Sequence, residues 1–411
     1  MLNLEKKMLL DMREMFHYET DVVELTKKLI STPSLSGQEG GVAQMLKDFL
    51  STSGVDKAFI DKYGNVIGVI KGGITGSLVF EGHTDHVPPG DPRNWTYRPY
   101  DAKVLDDNLY GRGSVDMKGA LASMIMSIEL IGSKKDIPDI YYVFVPYEEI
   151  AEGVLFKKAI EDTLKIKPDL VILGEATNLN IHIGQRGRAV IQAIFKGKSS
   201  HASMPEKGIN ALVAAAHFIN LIKMQARRMP KHRKLGKSTL TPTIIESSPK
   251  SPPMIPDECK LILDYRFVVG ETRRTILEMI SELGKRIVEK KEARNFEAHI
   301  VRETAQMWTG VKIEIEHYFP AWMNQNQELI DKILKTIRKR ANPQAKLGVW
   351  KFSTDGVYSG GEAEIPTIGY GPGDESLAHQ PNEHVPVKHL QKAVEGYVDI
   401  ALNAAEIIGK D

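Results

Sequence analysis

Five short apolar runs punctuate the first half of the chain, at residues 58–61, 65–70, 77–80, 140–145 and 169–173. The last two hardly alternate with polar residues, as strands buried on both faces require. Between the runs the apolar spacing changes to that of helices. Val22, Val23, Leu25, Leu29 and Ile30 recur at helical intervals, and Thr32-Pro33-Ser34-Leu35-Ser36-Gly37 stops that segment. Further helices are expected over 39–50, 120–131 and 155–164. Beyond Gln185-Arg186-Gly187 the order becomes strand 189–195, helix 210–224, strands 238–246 and 261–268, helix 272–289 and strand 296–301. That βαββαβ series is a compact α+β unit of its own. After Phe319-Pro320 a helix (327–340), a strand (365–369), a loop carrying His379 and a final helix resume the first pattern. The expectation is an α/β domain with a mixed sheet, formed by 1–185 plus 313–411 and interrupted by an inserted α+β domain at 186–312. A chain of 411 residues exceeds the size at which one core keeps growing, which agrees with two domains.

The apolar strands end in chemistry. Residues 77–80 run into Glu81-Gly82-His83-Thr84-Asp85, residues 140–145 into Glu148-Glu149, and residues 169–173 into Gly174-Glu175. Ligands of open α/β sheets gather beyond the carboxyl ends of strands, so these ends should meet in one crevice. His83 and Asp85, two apart, point the same way in extended chain, so one can bind a cation while the other buttresses it. Asp116 falls in a Gly-flanked loop able to fold around a cation, and the turn-rich segment 88–110 should lie over the site. His83, Asp85, Asp116, Glu148, Glu149, Glu175 and His379 thus form a set of imidazoles and carboxylates without thiolate. Such a set suits Zn²⁺, with Co²⁺ or Mn²⁺ as substitutes. A carboxylate can bridge two ions about 3.5–4 Å apart, and of two adjacent glutamates one can bind metal while the other acts as base. Taken singly, Glu148-Glu149 reads as a solvated pair and His83 as a structural histidine.

The motifs resemble those of the zinc metallopeptidase family that includes acetylornithine deacetylase, succinyl-diaminopimelate desuccinylase, aminoacylase and carboxypeptidase G. The likeness runs in order from Gly82-His83-Thr84-Asp85 through Gly111-Arg112-Gly113, Asp116-Met117-Lys118-Gly119, Glu148-Glu149 and Gly174-Glu175-Ala176-Thr177. It continues through His201-Ala202-Ser203-Met204-Pro205, Gly208-Ile209-Asn210-Ala211, Asp264-Tyr265-Arg266 and Gly371-Pro372-Gly373-Asp374 to His379-Gln380-Pro381-Asn382-Glu383. The segment 350–356 further resembles a branch of that family labelled selenium-metabolism-linked hydrolases.

The resemblance implies a zinc-peptidase-like catalytic domain and a lid through which two copies dimerise. It implies one zinc held by His83, Asp116 and Glu175, and a second held by Asp116, Glu149 and His379. Asp85 would orient His83, and Glu148 would be the general base in cleaving an amide of a small N-acyl amino acid or short peptide. His201 would reach the site from the partner subunit to stabilise the oxyanion; read without the motif, it is a histidine in a Ser-rich turn. Arg266 would clamp a substrate carboxylate or make a surface ion pair, and Gly361 would be a glycine turn beside the substrate or a plain turn. One position departs from the family: Pro253 stands where members often carry an Asn donor. The competing readings are a non-catalytic or single-metal member of the fold acting as a binding or assembly protein.

Composition narrows the picture a little further. The formal charge is +1, and no clustered basic face with interleaved aromatics calls for nucleic acid. No run is long enough for a membrane span, and the start Met1-Leu2-Asn3-Leu4-Glu5-Lys6-Lys7 is unlike a signal peptide, so a cytoplasmic protein without nucleic-acid or membrane partners is expected. The single cysteine, Cys259, excludes an internal disulfide. His86 neighbours Asp85 but points to the opposite face of an extended segment, so it is left outside the site.

Overall fold

A computed structural model describes residues 21–132 and 136–409; the expectation for the N-terminal residues 1–20 lies outside them. A helix covers residues 21–30. The large sheet takes its strands from both ends of the chain: β1 Lys57–Ile60, β2 Val66–Ile70, β3 Ser77–His83, β4 Asp139–Val145, β5 Leu170–Leu173 and β6 Ile181–Gln185. The second, lid sheet contributes β7 Gly187–Lys196, β8 Thr239–Ser248, β9 Glu258–Phe267 and β10 Asn295–Ile300. The chain then returns to the large sheet with β11 Trp322–Met323, β12 Leu347–Trp350 and β13 Thr367–Gly369. The helices are α1 Gly40–Thr52, α2 Gly119–Ile131, α3 Ala211–Gln225, α4 Arg273–Glu289, α5 Gln327–Lys339 and α6 Val387–Leu402.

The large sheet is mixed. Its order is β1-β2-β4-β3-β5-β13-β6-β11, with β12 joined to β6. The central four, β4, β3, β5 and β13, run parallel, so their carboxyl ends open on one rim. β2 and β5 are buried throughout, and β3 and β4 everywhere but their first residue. One face is sealed by α1, α2, α5 and α6 through residues such as Leu46, Leu121, Ile333 and Tyr397. Phe156, Ile160, Trp322 and Trp350 seal the other. A two-stranded ribbon, Arg302–Gln306 with Lys312–Glu316, crosses the expected boundary at 312 and adds Ala305, Ile313 and Ile315 to this second layer.

The expected βαββαβ series is present as β7, α3, β8, β9, α4 and β10. Its sheet order is β8-β9-β7-β10, with Tyr318–Phe319 added against β7. α3 starts where Asn210 accepts from the amides of Leu212 and Val213, and α4 where Thr272 and Thr275 cap one another. Both helices cover the face that carries Ala189, Ile191 and Leu263. Among the described residues no helix is long and apolar enough to cross a membrane.

Candidate metal centre

The rim of the large sheet gathers the expected residues. His83 ends β3 and is buried at 1% exposure. Its Nδ1 lies 3.0 Å from the backbone carbonyl of Asp85, which leaves Nε2 directed into the rim. Nε2 stands 2.9 Å from Asp116 Oδ1, 3.4 Å from Glu175 Oε1 and 4.0 Å from Glu148 Oε2. Asp116 Oδ2 is 3.0 Å from His379 Nε2, which is in turn 2.9 Å from Glu149 Oε2. The two oxygens of one aspartate therefore face two different imidazoles, with Glu175 beside the first and Glu149 beside the second.

Local structure explains how a loop aspartate is aimed so well. Gly113 adopts φ +84°, which favours glycine, and turns the chain into the segment 114–118. Glu383 then accepts from the amides of Val115 and Asp116 and pairs with the buried Arg112. Asp85 meets the His83 ring through its backbone more closely than through its carboxylate. Its backbone carbonyl holds the His83 ring, whereas its Oδ1 stands 3.6 Å from Nδ1, an ion-pair distance rather than a hydrogen bond. The carboxylate instead accepts from Ser36 Oγ and from the amides of Glu148 and Glu149, fixing the turn after β4.

The electrostatics call for cations. Burial lifts the carboxyls of Glu148 and Glu175 above the usual range and carries Glu149 up to about 7, with the Asp116 charge adding to the last two. Hydrogen bonds that His379 donates to Asp116 and Glu149 lift its imidazole to about 10. Burial opposes charge on His83, yet Asp116 and Asp85 raise it well above an ordinary histidine. Four acids thus face the buried His83 and the exposed His379, and unneutralised charge on the buried members is costly.

The donor set fits metal. One donor atom each from His83, Glu148 and Glu175 lie within 4.8 Å of one another, as do those of His83, Asp116 and Glu149. Donors about 2.0–2.1 Å from a shared tetrahedral cation stand about 3.3 Å apart. Glu149 Oε1 is buried and has no hydrogen-bond partner among the described residues, an acceptor left for a cation. Behind the rim, Glu81 and Asp355 are buried against each other, with Glu81 raised well above its ordinary value by burial and by Asp355.

In front of the rim lies a cavity of about 350 Å³ lined by Asp116, Glu148, Glu149, Glu175 and His379. Its other walls carry Arg188, Arg266, Glu152, Phe352, Ser353 and Glu375. Arg266 is there as expected, its Nε 2.7 Å from Asp264 Oδ1. Arg188 was not anticipated. It is the cross-strand partner of Arg266 between β7 and β9, and it pairs with Asp264 at 3.2 Å and with Glu152 at 3.1 Å. Ser353 also donates to Glu152, so the large sheet and the lid meet in one polar cluster. The available signal was Arg186-Gly187-Arg188 at the start of a strand.

Other expected residues lie outside the cavity of the single chain. His201 is exposed, bonded through Nδ1 to Ser203, and absent from the cavity lining. Its loop rests on the departing position: Ala202 donates to the Pro253 carbonyl, and His201 bridges to Met254. Gly361 sits in the helical turn Val357–Glu362 against Pro320, away from the lining. No residue of 88–110 lines the cavity; that segment is tied down by its own short strands and by Thr96 donating to Asn382. His86 is structural, as its placement in the sequence implied: its Nε2 accepts from the Ser34 amide.

Comparison with known proteins points the same way. Residues 79–403 match the family described as Peptidase family M20/M25/M40. YgeY of Escherichia coli K12, itself uncharacterized, is 31% identical over 392 residues, spanning 94% of this chain and 95% of YgeY. Succinyl-diaminopimelate desuccinylase 2 of Ruegeria sp. TM1040 is 27% identical over 398 residues, 93% of this chain and 95% of that one. Among solved structures, the Bacillus subtilis YXEP protein, a dinuclear metal-binding peptidase, superposes with a TM-score of 0.68 at 17% identity, covering 95% of this chain and 99% of its own.

Proposed function

Because the chain belongs to peptidase family M20/M25/M40, we propose that it is a metal-dependent hydrolase cleaving an amide bond in a small substrate, an N-acyl amino acid or a dipeptide. One observation carries this reading: Asp116 offers one oxygen to the site of His83 and Glu175 and the other to that of His379 and Glu149. His83, Asp116 and Glu175 would hold one zinc ion, and Asp116, Glu149 and His379 a second, with Co²⁺ or Mn²⁺ as substitutes. The desuccinylase relative and the dinuclear peptidase with the same fold support the amide chemistry and the pair of ions.

When bound, the cations supply Lewis acidity, easing deprotonation of water and polarising a carbonyl. Glu148, whose amide is pinned by Asp85, takes the proton of the attacking water and passes it to the departing amine. Arg188 and Arg266 receive a substrate carboxylate on the lid side and orient the scissile bond. His201 donates to the developing oxyanion from a second copy of the chain. The dimer forms through the lid. Among the described residues β8 is an edge strand paired with β9 alone, and it exposes Ile244 at 55% and Ile245 at 46%. Pro242 and the bulge after it interrupt the edge, and the apolar pair beyond them, Ile244 and Ile245, offers the association surface.

Metal analysis together with turnover of N-acyl amino acids and dipeptides tests the reading. Two equivalents of zinc per chain and turnover within that panel are expected. Full activity at one equivalent would refute the two-ion site, and a fully loaded enzyme inert on every member would refute the substrate class.

A further inference from the structure

A second concavity lies on the lid, in the groove between the end of α3 and the side of α4. It encloses about 540 Å³ and is lined by Lys223, Arg227, Arg228 and Arg286, with Leu221 and Leu283 supplying apolar surface. No acidic side chain lines it, and all four cations are exposed. Among the described residues none of the four forms an ion pair, although exposed cations elsewhere on the lid do, such as Arg274 with Glu278 and Lys196 with Glu258. The sequence underlines the bias. Residues 208–245 contain seven Lys and Arg and no Asp or Glu, in a chain whose formal charge is only +1. The hairpin at 231–237, which follows in the chain, carries four more exposed cations.

Like charges gathered around a hollow repel one another, and the arrangement makes physical sense when an anion fills it. The groove is independent of the metal centre. The two helices cover the face of the lid sheet carrying Ala189 and Ile191, whereas Arg188 and Arg266 alternate onto the opposite face.

We propose that this groove binds an oligophosphate, a run of two or three linked phosphate groups that is either free or carried by a nucleotide. Its volume is that of a small-molecule site, about 300–1,000 Å³. Three guanidinium forks and one ammonium around a single hollow match several adjacent phosphates, since guanidinium engages phosphate oxygens in pairs. No aromatic side chain lines the groove to stack successive bases, so a single-stranded nucleic acid fits it poorly.

Isothermal titration of the intact, zinc-loaded chain with inorganic triphosphate and with ATP, in parallel with an Arg227→Glu/Arg286→Glu variant, tests the proposal. Zinc is assayed afterwards to exclude stripping. Saturable sub-millimolar binding of either ligand is expected, weakened about tenfold or more in the variant and by added salt. Triphosphate and ATP binding equally would identify the phosphate run as the determinant, and ATP alone would add the nucleoside. Binding unchanged in the variant would put the anion elsewhere, and no saturation below millimolar would leave the groove without this ligand; each overturns the proposal. A 20-nucleotide single strand binding far more tightly than triphosphate would overturn it as well. An Arg227→Gln/Arg286→Gln variant with unaltered circular dichroism separates lost binding from lost folding.

Discussion

In the large sheet β2 and β5 are buried on both faces, whereas in the lid sheet β7 and β9 bury every second residue. With both faces sealed, polar side chains in the large sheet have room only where strands end, and the parallel direction of β4, β3, β5 and β13 puts those ends on one rim. The lid sheet gives one face to helices and turns the other toward the cavity, where Arg188, near the start of β7, and Arg266, near the end of β9, project from that face. Its edge, β8, has no strand on one side among the described residues. Thus the large sheet presents polar side chains at its strand ends, and the lid sheet presents a face and an edge.

The sharpest way to break the first half of that contrast is at a strand end. Glu148→Ala should lower turnover about 10³-fold while zinc content stays near that of the parent chain. Turnover within tenfold of the parent would remove Glu148 from proton transfer. The edge comes next. Ile244→Lys with Ile245→Lys should convert a dimer to a monomer in light scattering and, by withdrawing the partner's His201, cost about 10²-fold in turnover. A parent chain that is already monomeric and active would defeat the trans role outright. The open face should matter less. Arg188→Ala and Arg266→Ala should each lower kcat/KM about 10- to 30-fold for substrates bearing a free carboxylate. Substrates without that carboxylate should be spared; equal losses on both would make the arginines structural.

The same contrast explains what could be read from the chain. His83, Glu148, Glu149 and Glu175 were legible because each follows an apolar run, and βαββαβ because its periods switch cleanly. The ligand set around Asp116 and His379 needed family motifs as well, since neither follows such a run. What stayed hidden were partnerships across long stretches of chain. Glu383 shapes the Asp116 loop from 267 residues away, and the Asp85 carboxylate grips the amide of Glu148 from 63 residues away. No local spacing encodes either. Arg188 was concealed differently: its place in the cavity depends on the β7–β9 register that sets it opposite Arg266. For Gly361 the motif left two readings open, and its position in the turn Val357–Glu362 against Pro320 agrees with the plain turn.

The smallest expected effect tests whether the sealed rim excludes charge that serves no catalytic purpose. His86 lies one residue beyond Asp85, and its ring is buried, accepting at Nε2 from the Ser34 amide. Burial, reinforced by Lys118, pushes its imidazole down to about 4. Between about pH 6.5 and 4 the unfolded chain therefore binds a proton there that the folded chain refuses. Stability from this group is full above pH 6.5 and is lost as pH falls toward 4, by about 2 kcal/mol once residual hydration is allowed for. His86→Gln keeps an acceptor for Ser34 and cannot titrate, so urea unfolding should show that much less acid sensitivity across the same window. The carboxyls held near 7 by burial, such as Glu39 and Glu383, slope the opposite way, and they cancel when variant and parent are subtracted. Equal acid sensitivity in the two proteins would mean that the His86 ring takes its proton inside the fold, and the rim would then tolerate charge beyond that of its ligands.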